Sequence, residues 1–253
     1  MPKIRCFVFK LRCMLLSYVF ASTAFAVDQP SKGLSLLHEG KLTACVYTGF
    51  EPVLYRTPEG LAGSDIKLLQ GFAAREGLEL QYIEVPFDGI WLRPGDNECD
   101  IAAAGIGETV GRDSPGVAWS QAYYSVKRSL LIRAGDASRF ASFSDFSGRR
   151  IGFVEGSTAQ FDLEARHFPK TIQIGYGAIA EGMSDLFAGQ IDAFAAGDVS
   201  TAFIAGKRPA LGVIDIHRPG ETELFAFPTR GASGIVGRLN AYINEFNDER
   251  QPD

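Results

Sequence analysis

The chain has 253 residues, 46% of them hydrophobic and 22% charged, with 28 glycines and 12 prolines. That composition excludes disorder, collagen and coiled coil and leaves room for one large or two modest folded domains. Its 25 basic and 30 acidic residues give a net charge of −5 with no Lys/Arg cluster, so no basic face is available to neutralise nucleic-acid phosphates and that class of partner drops out.

Residues 1–26 stand apart from the fold. Lys3, Arg5, Lys10 and Arg12 form a basic leader, residues 14–20 are mostly apolar, and Ala24-Phe25-Ala26 is an A-x-A cleavage signal. The apolar run falls short of the roughly 20 residues a membrane span needs. A cleaved signal peptide and a periplasmic mature protein are therefore expected. Removing the leader leaves 21 basic against 30 acidic residues, a net charge of −9. Cys6 and Cys13 leave with it. An oxidising compartment favours a bond between the remaining Cys45 and Cys99, but neighbouring strands often hold side chains at the wrong angle. A disulfide and two buried thiols both stay open.

Along the mature chain, residues 42–47 read as a buried strand and 48–54 as a loop shaped by Gly49 and Pro52. Ser64 is a candidate cap for a helix over 65–76, with Ile66, Leu69 and Ala73 on one face and Gly77 as its stop. Residues 78–85 form a second strand, and strand–helix–strand order implies parallel pairing with right-handed crossovers. Short strands follow at 100–104 and 129–133, and the serine-rich stretch 135–147 reads as a lobe boundary. The pattern then restarts: strand 150–154, a turn at Gly156-Ser157-Thr158, a helix through Ala165, strand 171–176, helix 180–188 and strand 193–196. Strand 224–227 and helix 235–246 make no domain alone and are expected to return to the first lobe. The fold expected is α/β with two lobes, each a mainly parallel sheet flanked by helices, and two hinge crossings. Lobe 1 spans 27–133 and is completed by 226–253; lobe 2 spans 134–225.

The order of these segments resembles the type II periplasmic solute-binding proteins, in the subgroup serving polar amino acid transporters (bacterial extracellular solute-binding proteins, family 3). The resemblance covers almost all of the mature chain. It rests on Phe50 and Pro52 after the first strand, Gly60-Leu61-Ala62-Gly63-Ser64-Asp65-Ile66, Cys99-Asp100-Ile101, and the stretch from Ala104 through Gly105, Gly107 and Thr109 to Arg112. Trp119-Ser120-Gln121-Ala122-Tyr123-Tyr124, Asp145 to Gly152 before Gly156-Ser157-Thr158, and Asp192-Ala193 before Gly197-Asp198 continue it.

That resemblance implies a ligand site between the lobes. Arg112 matches the family's carboxylate-binding arginine, whose planar fork donates two parallel hydrogen bonds. Ser157 and Thr158 open a helix whose N–H groups and dipole suit the same carboxylate. Asp198 matches the ammonium-binding aspartate; on its own it reads equally as an N-cap for 199–204, as Ser157 or Thr158 does for its helix. Gly105, Gly107, Phe50 and Tyr47 complete the implied ligand-binding set, and side-chain specificity depends on which of Tyr47, Phe50, Phe87, Tyr124 and Val154 face the cleft. The chain departs from the family at Gly107, where a Ser or Thr hydroxyl is usual, at Tyr47 in place of an acidic residue, at Ala122 in place of a proline, and at Pro94, which shortens a helix.

The implied function is capture of a small polar ligand, an amino acid or related carboxylate, for delivery to an inner-membrane ABC permease by a monomer with no cofactor, no metal and no covalent chemistry. Two alternatives share the fold: a sensory or accessory binding protein docking on a receptor or enzyme, and a periplasmic enzyme like cyclohexadienyl dehydratase with Glu155 or Glu108 as its acid. His38, His167 and His217 are too scattered for a zinc motif, and neither a Walker A loop nor a Gly-x-Ser-x-Gly elbow occurs.

Overall fold

The computed structural model describes residues 33–165, 171–218 and 222–248. The leader at 1–26 lies outside the described residues. In chain order the first lobe contributes β1 (Lys41–Val46), β2 (Gly49–Phe50), β3 (Leu54–Thr57), β4 (Gly60–Ala62), α1 (Ser64–Arg75), β5 (Glu79–Glu84), β6 (Ile101–Ala103) and β7 (Val117–Trp119). A short strand β8 (Tyr124–Val126) crosses over. The second lobe holds β9 (Arg128–Arg133), β10 (Arg150–Val154), α2 (Thr158–Ala165), β11 (Ile172–Tyr176), α3 (Ile179–Phe187), β12 (Ala193–Gly197), α4 (Asp198–Lys207) and β13 (Leu211–Asp215). The chain returns through β14 (Glu223–Phe225) to β15 (Pro228–Arg230) and α5 (Ile235–Asp248).

Two five-stranded sheets result, ordered β5-β1-β6-β15-β7 and β11-β10-β12-β9-β13. In each, the strand–helix–strand units pair in parallel, and the strands leading from or back to the crossing add antiparallel pairings. Between the sheets the crossing strands β8 and β14 pair antiparallel, Tyr124 opposite Phe225. Among the described residues no helix is long and apolar enough to cross a membrane.

Period-two alternation in β1 sorts its side chains to two cores. Leu42, Ala44 and Val46 face α1 and α5, packing with Ile66, Leu69, Phe72, Leu239 and Ile243. Cys45 and the following Tyr47 face the opposite way, into a cluster that also holds Phe87 and Trp91 from the first lobe and Val154, Ile179 and Phe194 from the second. One apolar core thus joins the lobes. Buried Asp100 ties the outer parts of lobe 1 together, accepting from Leu37 N–H, Thr43 N–H and Thr43 Oγ1 and pairing with Arg230.

Several local readings change. Strand 128–133 belongs to the second sheet, so the chain leaves lobe 1 at β8 rather than after residue 133; its alternate residues Leu130 and Ile132 pack with Ile151 and Ala193. Stretch 135–147 is no lobe boundary: Phe140 and Phe146 stack 4.4 Å apart in the second lobe's core. Helix α1 starts from Gly63 with no side-chain cap, because the chain enters at φ 123° directly over the Val53 carbonyl, where a Cβ has no room. The loop after β1 folds into the small antiparallel sheet β2-β3-β4, and the last strand splits into β14 and β15.

Cys45 and Cys99 form a disulfide with their Cα atoms 5.8 Å apart, spanning 54 residues of sequence. A loop of that length gives a chain-entropy contribution of about 4 kcal/mol. Reduction, or serine at both positions, is expected to lower the urea-unfolding free energy by that amount; a loss under about 0.5 kcal/mol, the scale of neutral surface changes, would show that the bond closes a loop already ordered when unfolded.

Candidate ligand site between the lobes

The site is assembled from strand ends. The C-terminal ends of parallel strands are where open α/β sheets hold ligands, because the following helices begin there. From the first lobe, β6 runs into Gly105, Ile106 and Gly107, and this loop is fixed on two sides. Gly105 N–H donates to Asp65 Oδ2 at 2.8 Å, and Ala226 N–H and Glu108 N–H donate to the Ile106 and Leu224 carbonyls. From the second lobe, β10 ends at Val154 and turns through Gly156, at φ +72°, into α2. Gly156 lies so close to Asp88 of the opposite lobe that a Cβ would meet Asp88 Oδ1 at 2.5 Å.

Between these ends lies a cavity of about 20 Å³, room for about one water. Phe50, Phe87 and Gly105 line it from lobe 1 and Val154, Ser157, Thr158, Ile179, Phe194 and Gly197 from lobe 2, with Arg128 and Glu223 from the crossing segments. Arg128 is 4% exposed. Its Nη2 donates to Glu223 Oε2 and Thr158 Oγ1, both at 2.9 Å, and its Nε to Asp162 Oδ2 at 2.8 Å. Burial works against the Arg128 charge, but the carboxylates of Glu223 and Asp162 outweigh it and hold its pKa above the ordinary value.

Arg112 sits beside this cavity rather than in its wall. It is 1% exposed, lies 4.4 Å from the Trp91 ring centre and 5.7 Å from those of Phe87 and Phe161, and its guanidinium spans the lobes. Nη1 donates to the Gly107 carbonyl at 2.7 Å and Nη2 to the Gly156 carbonyl at 2.6 Å; Nε is buried with no partner. Burial pulls its pKa down to about 10, with Glu223 acting in the opposite direction. It remains a cation at neutral pH. In the closed arrangement Arg112 acts as a latch.

The other expected ligand residues divide. Phe50, Gly105, Ser157 and Thr158 line the cavity, as do Phe87 and Val154. Tyr47 is buried in the inter-lobe core, its hydroxyl donating across the lobes to the Gly177 carbonyl at 3.2 Å, and burial pushes its pKa up to about 12. Tyr124 is 44% exposed on the crossing strand. Gly107 meets the site through its carbonyl. Asp198 opens α4, where Oδ1 accepts from Val199 N–H at 2.9 Å and from Lys127 N–H at 3.1 Å. Its carboxylate therefore anchors the hinge backbone and makes no contact with Arg112. Sequence reasoning missed Arg128 and Glu223. The one local signal was a basic pair, Lys127-Arg128, at the start of an apolar strand, where alternation must turn one of the two inward.

A cleft between two α/β lobes, closed over buried charges and latched across by a single arginine, defines a protein that captures a small solute. The chain belongs to the bacterial extracellular solute-binding proteins, family 3, whose family model matches residues 42–246. Among similar proteins is a probable histidine-binding protein of Campylobacter jejuni, 23% identical over 202 residues, 78% of this chain and 75% of that one. The fold is shared with a Streptococcus pneumoniae amino acid ABC transporter substrate-binding protein, AbpA, solved with L-arginine bound. That match has TM-score 0.77 and 22% identity, covering 83% of this chain and 90% of the other. It is shared equally with an ancestral amino acid-binding protein, AncCDT-1, described as a precursor of cyclohexadienyl dehydratase (TM-score 0.74, 22% identity, 83% and 91% covered).

Proposed function

We propose that this solute-binding protein is exported by its 1–26 leader to the periplasm, binds an amino acid or related small carboxylate between its lobes, and delivers it to an inner-membrane ABC permease. The observation that carries the reading is Arg112. A fully buried guanidinium that bonds one carbonyl from each lobe stabilises closure only where the surrounding polar groups repay its lost hydration. A carboxylate entering beside it, at the first turn of α2, supplies that compensation. Ligand binding and lobe closure are then one equilibrium, because the charges are satisfied together only in the closed form. The histidine- and arginine-binding relatives support an amino acid class of ligand.

A thermal-shift screen of amino acids and small carboxylates tests this. A ligand of the native state at 100 times its Kd stabilises by about 2.7 kcal/mol, and small-angle scattering should show compaction with the same compound. If no member of the panel moves the melting temperature, the reading fails.

A further inference from the structure

Resting on the reading of the cleft as an amino acid site, we propose that the cleft, which as closed here has room for about one water, opens to take an α-amino acid with an apolar side chain, its ammonium group accepted by Glu223 and its carboxylate by Arg128 together with the first turn of α2.

Three observations carry this. First, Arg128 is nine-tenths buried and lines the cavity, yet its Nη1 has no hydrogen-bond partner among the described residues, while Nε and Nη2 are taken. An uncommitted guanidinium N–H on a residue that lines the cavity is available to an arriving carboxylate. Ser157, Thr158 and Ala159 line the same cavity, and the first N–H groups of α2 have no intrahelical acceptor.

Second, Glu223 is the one carboxylate among the residues lining the cavity. Oε2 is held by Arg128, and Oε1 has no hydrogen-bond partner among the described residues. The position a side chain at residue 107 would occupy is filled by this carboxylate: a Cβ on Gly107 would run into Glu223 Oε1. The glycine that removes the family's usual hydroxyl therefore makes room for an acid arriving from a strand more than a hundred residues later. Asp198 is committed to the hinge backbone, and Gly197 brings no side chain to the cavity. An ammonium group has Glu223 to meet.

Third, Arg128, Thr158 and Glu223 form one hydrogen-bonded cluster, and apart from Ser157 the larger remaining side-chain walls are apolar: Phe50, Phe87, Val154, Ile179 and Phe194. A cationic side chain such as arginine's would lose its water there with no second carboxylate to replace it, whereas an apolar one gains from leaving water.

Calorimetry on the full chain recovered after export tests the proposal with leucine, isoleucine and phenylalanine, with arginine, lysine and histidine, and with 4-methylpentanoate and 3-phenylpropanoate, which lack the ammonium group. Apolar amino acids are expected to bind at least about 100-fold more tightly than the cationic ones and the deaminated acids, the scale of a lost charge-assisted hydrogen bond. Glu223→Gln should weaken the apolar amino acids about 100-fold while leaving the deaminated acids within about threefold. Ile179→Glu, which places an acid at the N-terminus of α3 where the dipole favours it, should raise the affinity for arginine and lysine. Arginine or histidine binding the wild type as tightly as leucine would overturn the side-chain assignment and leave the amino acid reading standing. Equal losses for amino and deaminated acids in Glu223→Gln would reduce Glu223 to a structural partner of Arg128 and overturn the ammonium assignment. Binding by no member of the panel removes the proposed function itself, and this inference with it.

Discussion

Replacing Arg112 by alanine is expected to weaken ligand binding by about 3 kcal/mol, some hundredfold, and to open the cleft. The change removes charge-assisted bonds to the Gly107 and Gly156 carbonyls, each worth about 1.5 to 3 kcal/mol. It also removes a cation stacked on Trp91, worth about 1 to 2 kcal/mol when desolvated. Rehydration of the lost charge offsets part of this. Each lobe keeps its own core, so the loss should fall on closure more than on folding. Small-angle scattering should report a larger radius of gyration, and calorimetry the lower affinity. Lysine should not rescue it, since a single ammonium point charge neither stacks flat on the indole nor presents two separated donors to carbonyls of different lobes. An alanine variant with wild-type affinity and unchanged scattering would leave the latch without a role.

Asp65→Asn is expected to abolish a fall in stability, on the order of 4 kcal/mol, between about pH 4 and pH 7. Asp65 is completely buried at the start of α1, where it accepts from Gly105 N–H and from the Tyr123 hydroxyl at 2.7 Å. Desolvation dominates and raises its pKa from 3.8 to about 7, against the pull of those two hydrogen bonds. Between those values the native state holds a proton that the unfolded chain has released. Stability from this group is thus fully present below about pH 4 and is lost as pH rises through 7. Asparagine keeps the shape and both contacts: its oxygen accepts from Gly105, and its amide donates to Tyr123, whose hydroxyl can turn to accept. Urea denaturation of both proteins across this range checks the expectation. The difference between the curves isolates residue 65 from Asp136 and Asp145, whose lowered pKa values act in the opposite sense at more acid pH. Parallel curves for the two proteins would mean that Asp65 stays ionised throughout. Because Asp65 joins the Gly105 loop to Tyr123 beside the hinge, the same titration bears on how firmly that loop is held.

The elements were legible wherever their signals are local. The apolar alternation of β1, the helical stripe of α1, the strand–turn–helix passage from Val154 into Thr158 and the restart of that pattern in the second lobe each lie within about a dozen residues, and periodicity reads over that range. The two-lobed α/β class follows from their order. Short elements were missed where burial rather than pattern sets them: β7 and β13 are held by sheet neighbours, and stretch 135–147 looks like a lobe boundary until Phe140 and Phe146 are seen in the core.

By itself the sequence determined the succession of strands and helices, the helix opening at Ser157-Thr158 and the glycine-bounded loop before Arg112. Only the tertiary structure decided that Cys45 and Cys99 bond, that the Asp198 carboxylate serves the hinge, and that Arg112 bridges two carbonyls instead of standing free in the cleft. It alone brought Glu223 into the space left by Gly107 and onto Arg128, 95 residues away in sequence. Backbone propensity and hydrophobic period are properties of neighbours along the chain. Which buried charge meets which is set by how two crossing strands pair after both lobes have packed, and no local pattern encodes that distance.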